Sequence, residues 1–296
     1  MEAVKTEETI LINFSERLKC YAQLFKLRLT SFVVISAIFG YYIGASTYNF
    51  SEVIFLIIGG FFITCSSNAF NQIIEKDYDK LMKRTQNRPL PLNKFGVGEA
   101  MWVASISGLL GIVMLWLLNP LTGSLGALAI VMYVALYTPL KRISTISVFV
   151  GAFPGAFPPM LGWVAATGSF SLEAGILFAM QFLWQFPHFW AIAWKVNDDY
   201  TNAGFKMLPF GKKNKSTAAI ILMSTLLLFL ASFLPEYFHI TGRIATIGLL
   251  ILSLLMVYPA IKLVQTLADK YALRVMLMSY LYLILSLSII LIDRLL

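Results

Sequence analysis

The chain has 296 residues, 58% of them hydrophobic, and a mean hydropathy of +0.77. Those values exclude a water-soluble domain, so the formal net charge of +8 is read by its location along the chain and not as a nucleic-acid signal. Apolar runs of about 20 residues, the length that crosses a bilayer, recur throughout. The expected fold class is all-α: a polytopic membrane protein, a bundle of nine transmembrane helices around a central cavity open to the cytoplasmic face.

In chain order, the first ten residues, MEAVKTEETI, carry Glu2, Glu7 and Glu8 and no apolar run. They form neither a signal peptide nor an acid-poor transit peptide, which favours a bacterial inner membrane. Residues 1–28 are expected to be a cytoplasmic segment and 29–296 a single domain. Cys20 and Cys65 make no metal-type spacing and no disulfide framework, and Cys65 reads as a packing residue.

The nine expected spans are roughly 29–47, 52–74, 99–118, 121–138, 145–167, 171–194, 216–234, 243–263 and 274–293. The segments between them alternate in charge. One side receives 21 of the 23 basic residues, leaving only Arg243 and Arg294 for the other. The positive-inside rule then places the N-terminus in the cytoplasm and the C-terminus outside. The long polar loops follow spans two and six, on the cytoplasmic side.

Span two runs into the segment NAFNQIIEKDYDKLMKRTQNRPLP, Asn68 to Pro91. Asn71, Glu75 and Asp79 recur every four residues, so on a helix they stack along one face, with Asp77 elsewhere. Lys80, Lys83, Arg84 and Arg88 follow. Carboxylates beside a basic cluster suit a diphosphate held through Mg²⁺, which takes one or two protein carboxylates and completes its shell with phosphate oxygens and water. Arg and Lys would bind the remaining oxygens. A charged loop facing water would show some of the same composition, but ionisable groups running out of a membrane helix are usually functional. Gly59, Gly60, Ser66, Ser67 and Ala69 suggest that this helix end is buried in the bundle. Asn68 reads equally as an interhelical hydrogen-bonding residue or as a ligand.

Span four ends in YVALYTPLKR, with Tyr133, Tyr137 and Lys141 in phase. Lys141 and Arg142 read either as substrate contacts or as ordinary interfacial anchors. Span five holds Pro154, Pro158 and Pro159 with Gly151, Gly155 and Gly162, and is expected to bend around a cavity. Span six places His188 among Phe186, Phe189, Trp190 and Trp194, and runs into Lys195, Asp198, Asp199 and Lys206. His188 either bonds a neighbour, contacts a cofactor-like substrate, or serves as a base; nothing in the sequence makes it an iron ligand. Four crossings separate the two acidic stretches, which puts them on one side. Together they would hold two Mg²⁺ ions, or one ion plus a diphosphate. Spans seven to nine read mainly as lipid-facing scaffold, and His239 as structural.

The pattern N-x-x-x-E-x-x-x-D-x-x-M-x-R-T-x-N-R-P-L-P, Asn71 to Pro91, resembles the UbiA-type intramembrane prenyltransferases. YTPLKR (137–142), GAFPGAFPPMLGW (151–163), WQFPHFWAIAWK (184–195) and DDYTNAGFKMLP (198–209) narrow the resemblance to the protoheme IX farnesyltransferase branch, and it covers nearly all of the chain after residue 20. It implies Mg²⁺ at Asn71, Glu75 and Asp79, with Asp198 and Asp199 left from a second acidic motif. Where quinone-pathway members carry further aspartates, this chain has His188, Phe189 and Val196. Lys83, Arg84, Arg88, Lys141, Arg142, Lys195 and Lys206 become candidate diphosphate or substrate contacts. Tyr133, Tyr137, Phe153, Phe157 and Trp190 become candidates for stabilising an allylic cation.

The implied reaction moves the farnesyl group of farnesyl diphosphate to a vinyl group of heme b, with addition of water. The implied partners are those two substrates, the lipid bilayer and a downstream heme A synthase or terminal oxidase assembly; none is nucleic acid. Two competing readings are a prenyltransferase for an aromatic quinone or chlorophyll precursor and, from another class, a secondary transporter with intramembrane acidic residues.

Overall fold

A computed structural model describes residues 13–94 and 96–296, and among them every regular element is a helix. Residues 1–12 of the expected segment 1–28 therefore lie outside the described residues. Helix α1 (Phe14–Leu24) leads into α2 (Leu27–Gly44), α3 (Phe50–Ile74) and the single turn α4 (Lys76–Asp79). After a loop come α5 (Val97–Trp116) and α6 (Pro120–Val131), which passes through a wide π turn at Met132–Tyr137 into α7 (Thr138–Ile143). Then follow α8 (Ser147–Thr167), α9 (Leu172–Lys195), α10 (Asn197–Asn202), α11 (Lys215–Ala231), α12 (Leu234–Tyr237), α13 (Arg243–Thr266) and α14 (Asp269–Leu295).

Local sequence sets the helix starts. Asn49, Asn119 and Asn214 each turn a side-chain oxygen onto a backbone N–H of the helix they precede, at 3.0, 2.9 and 2.8 Å. These caps satisfy donors that the first helical turn leaves free. Pro120, directly after its cap, occupies the position where a missing N–H costs nothing.

Eight helices among the described residues are long and apolar enough to cross a membrane, so the chain is a multi-pass membrane protein. The expected ninth span, 171–194, is a helix of sufficient length, α9, with 24 residues. It stands outside the apolar eight because Gln181, Gln185, Pro187 and His188 interrupt its hydrophobic run. Those polar groups turn inward, where α9 packs against α8, α11 and α14.

Loops from the expected cytoplasmic side meet one another. The Lys206 N–H donates to the Lys141 carbonyl at 2.7 Å, and Asp199 accepts from the N–H groups of Lys83 and Arg84, both at 3.2 Å. At the opposite end, Asn119 reaches the Val164 carbonyl at 3.1 Å and Asp293 accepts from the Ala245 N–H at 3.1 Å.

Helix α8 is the centre of the bundle, and despite its three prolines it runs as one helix over 21 residues. It crosses α2 with the two backbones in direct contact. A Cβ added to Gly162 would stand 1.9 Å from the Ala37 carbonyl oxygen, and one added to Gly40 would stand 1.9 Å from that of Pro159. Replacing Gly162 with Ala should therefore lower the melting temperature in detergent, at a cost of ~1–3 kcal/mol or more from overpacking. Gly175→Ala, where nothing lies within 4 Å, should leave it unchanged in the same thermal-shift measurement.

Candidate active site

Helix α3 ends at Ile74, and Glu75 adopts a non-helical conformation before α4 begins, so the Asn71–Glu75–Asp79 ladder is not on one uninterrupted helix as expected. Its register survives the break. The Glu75 N–H still donates to the Asn71 carbonyl at 3.0 Å, and the Asp79 N–H to the Glu75 carbonyl at 2.8 Å. All three side chains are buried, whereas Asp77 points to solvent and pairs with Lys80 at 3.0 Å.

Each rung meets a cationic partner. Lys141 Nζ lies 2.8 Å from Glu75 Oε1, and Arg88 NH1 lies 2.7 Å from Asp79 Oδ2. Lys26 Nζ donates to Asn71 Oδ1 at 3.1 Å, while the Asn71 amide donates to Thr138 Oγ1 at 3.2 Å. Burial raises the Asp79 carboxyl above its usual range, with Arg88 opposing that rise. Burial, with Arg88 and Lys141 close by, pushes the Lys26 ammonium down to about 7. Lys26 as a whole residue is only half-buried, so it is the charged end of the side chain that lies crowded by protein.

Sequence reasoning missed Lys26. It sits in the left-handed region at φ 48°, a conformation that is uncommon for residues other than glycine. This turn between α1 and α2 brings its side chain to the ladder, and no spacing rule in the sequence signals it. Thr138 was missed for a similar reason. Its hydroxyl donates to the Tyr133 carbonyl at 2.8 Å across the π turn, and that turn keeps the Tyr133 and Tyr137 rings 5.1 Å apart. Lys141 Nζ stands 4.6 Å from the centre of the Tyr137 ring.

The second acidic stretch is placed differently. Asp198 is exposed, and the Asp199 carboxylate clamps the backbone of the loop after α4. Among the described residues no three His, Cys, Asp or Glu groups converge on a metal position. Arg84 lies over the Tyr200 ring at 5.8 Å, Arg142 covers the Tyr78 ring and hydrogen-bonds its hydroxyl, and Lys206 donates to the Ile143 carbonyl at 3.2 Å. Lys83 and Lys195 are exposed.

Beside the charged cluster lies an apolar cavity of about 290 Å³, reaching Asn68 and Tyr137 at one end. Its volume is far above the 10–15 Å³ or so that one water needs. Tyr133, Tyr137, Phe157 and His188 line it. Phe153 and Trp190 pack elsewhere, Phe153 against Phe182 at 5.0 Å between ring centres and Trp190 against Phe186 at 5.2 Å. On α9 it is Phe189, not Trp190, that turns to the cavity. Helix α14 is more than scaffold, since Tyr280 and Leu283 form part of the wall. Asn68 both lines the cavity and bonds the Phe25 carbonyl at 3.2 Å.

An apolar chamber whose lining residue Tyr137 touches Lys141, next to paired carboxylates and cations, suits a substrate with a greasy body and an anionic head. The chain belongs to the UbiA prenyltransferase family, whose model matches residues 33–285. Within that family it is 46% identical over 279 residues to the protoheme IX farnesyltransferase of Christiangramia forsetii, covering 93% of each chain, and 44% identical to that of Flavobacterium psychrophilum, covering 99% of each. The fold matches that of a digeranylgeranylglyceryl phosphate synthase, with a TM-score of 0.78 at 20% identity over 94% of this chain and 99% of that one. It also matches a UbiA homologue from Archaeoglobus fulgidus bound to DMAPP and Mg²⁺, with a TM-score of 0.62 at 14% identity over 91% of this chain and 98% of that one.

The charge pairs make a stability prediction. Lys141→Met leaves Glu75 buried without its partner and should cost ~3–5 kcal/mol. Adding Glu75→Gln should recover most of that loss. Thermal unfolding of the purified single and double variants measures both.

Proposed function

We propose that this protein transfers the farnesyl group of farnesyl diphosphate to a vinyl group of heme b, with addition of water, giving heme O and diphosphate. The observation that carries the reading is the 43–46% identity to three proteins named protoheme IX farnesyltransferase, each over 93% or more of this chain. The geometry supports it: an apolar cavity suited to hydrophobic substrates lies beside the ion pairs that would meet a diphosphate, joined to them through Tyr137.

The residues fit one Mg²⁺. Asp79 Oδ1 is buried and lacks a hydrogen-bond partner among the described residues, an anionic oxygen that a hard cation would satisfy. Asn71, Glu75 and Asp79 would hold the ion, with substrate oxygens completing its shell. When bound, it neutralises charge on the leaving diphosphate.

The chain's own residues do the rest. Lys26, Arg88 and Lys141 already surround the ladder, and the arriving diphosphate gives them a second anion to bind. As the bond from carbon to oxygen breaks, their fixed charges stabilise the developing anion. The aromatic rings of Tyr133, Tyr137 and Phe157 line the cavity, where they would stabilise an allylic cation and, with the apolar walls, keep bulk water from it. Arg84, Arg142, Lys195 and Lys206 belong to the loops and helix ends around the ladder, the side that faces the cytoplasm at a bacterial inner membrane. That orientation predicts an active alkaline phosphatase when the reporter is fused after Leu296.

Purified protein given Mg²⁺, farnesyl diphosphate and heme b should yield a hydroxyethylfarnesyl heme by mass spectrometry, and EDTA should abolish it. Asp79→Asn and Glu75→Gln should each lower turnover at least ~100-fold. Prenylation of a quinone precursor with heme left unmodified would replace the acceptor in this reading.

A further inference from the structure

His188 is 5% exposed and sits on the cavity wall. Its ring is held on three sides. Trp184 stacks on it with centroids 4.7 Å apart and planes 18° from parallel, and the rings of Tyr280 and Phe189 stand edge-on at 4.8 and 5.3 Å. Toward α14, Nδ1 lies 2.7 Å from Ser279 Oγ.

The Ser279 hydroxyl decides which nitrogen carries the proton. Its Oγ is 2.6 Å from the Met276 carbonyl oxygen, which can only accept, so the single hydroxyl hydrogen goes there. Oγ is then the acceptor for Nδ1–H. Ser279 is itself fixed, because Trp184 Nε1 donates to its carbonyl at 2.7 Å. The neutral imidazole therefore carries its proton on Nδ1 and leaves a lone pair on Nε2, for which the described residues supply no hydrogen-bond partner.

An orienting hydrogen bond on one imidazole nitrogen and a free lone pair on the other is the arrangement of a metal-ligating histidine. A proton-accepting role fits less well. The imidazolium would be buried among Trp184, Tyr280 and Phe189 with no carboxylate against it, an unpaired charge in apolar surroundings.

The geometry points to His188 Nε2 as an axial ligand to the iron of heme b, with Ser279 as the positioning residue that holds the ring in its Nδ1–H form. This rests on heme b being the acceptor. His188 lies seven residues before Lys195, the last residue of α9, so the iron would be held about 10 Å along the helix axis from that basic end. That position puts the porphyrin in the apolar chamber, next to the aromatic rings that would stabilise the allylic cation.

The test uses the full-length protein in detergent and heme b alone, without prenyl donor, read by visible absorption and by electron paramagnetic resonance of the ferric form. Wild type should show a nitrogen-ligated iron. His188→Ala should lose that signature and bind heme at least ~10-fold more weakly, and added imidazole should restore the signature. Ser279→Ala should weaken heme binding ~10-fold while keeping a nitrogen-ligated spectrum. Size-exclusion profiles and melting temperatures confirm that both variants are folded. If His188→Ala is misfolded, the milder Ser279→Ala variant and a His188→Met variant, expected to give a thioether-ligated spectrum, carry the test.

An unchanged spectrum and affinity in folded His188→Ala overturns iron ligation. So does an unchanged spectrum with lost turnover, which would make His188 a base. Wild-type behaviour of Ser279→Ala overturns the positioning role. If wild type converts heme b but shows no nitrogen ligation, only this inference fails. If it leaves heme b unmodified and prenylates another acceptor, the proposed function fails first.

Discussion

Two carboxylates are kept out of water by two cations from elsewhere in the chain, and the charged end of the bundle depends on that pairing. Glu75 and Asp79 belong to the end of α3 and the turn after it. Their partners come from α7, as Lys141, and from the loop beyond α4, as Arg88. Taking one such ion out of water costs several kcal/mol unless an opposite charge meets it at good geometry. Any shift of α7 against α3 would break a pair, so the charges specify how these elements meet. The same pairing stores cations next to the place where an anionic head group would arrive.

Two polar side chains of the cavity wall on α9 are tied to a second element. Gln185 donates to the Ala152 carbonyl of α8 at 2.8 Å, and His188 is held from α14. Side chains anchored in this way keep one orientation within a wall that is mostly apolar. Chemistry at this site is therefore carried by position: aromatic rings and a single imidazole on the cavity wall, with the charged pairs beside it.

Much of this was legible in the sequence because helical periodicity survives folding. The four-residue spacing of Asn71, Glu75 and Asp79 held through a break in the helix, since the backbone hydrogen bonds bridge it. Tyr137 and Lys141 stayed together for the same reason. Residues brought in from distant segments left no such trace. Lys26 reaches the ladder through one left-handed residue, and Ser279 is one of several serines in an apolar helix. The choice between Phe189 and Trp190 turns on a single residue step, about 100° around the helix, finer than an apolar stretch can define. Asp199, in the short helix α10, accepts from backbone N–H groups of the loop after α4, a contact between distant segments that no spacing signals. Heme as the acceptor came from segment resemblance and not from any spacing.

The crossing of α2 and α8 has a mechanical consequence. Where Gly40 and Gly162 bring backbone against backbone, no side chain lies between the helices to change rotamer and absorb a displacement. The pair acts as a fixed post beside the chamber. Changes in chamber width then fall on walls that meet through side chains, such as Phe32 of α2 against Tyr280 of α14, whose ring centres are 6.5 Å apart. A flat, rigid guest and a long, pliant one would then be accommodated by the flank between α2 and α14, while the wall between α2 and α8 keeps its dimensions.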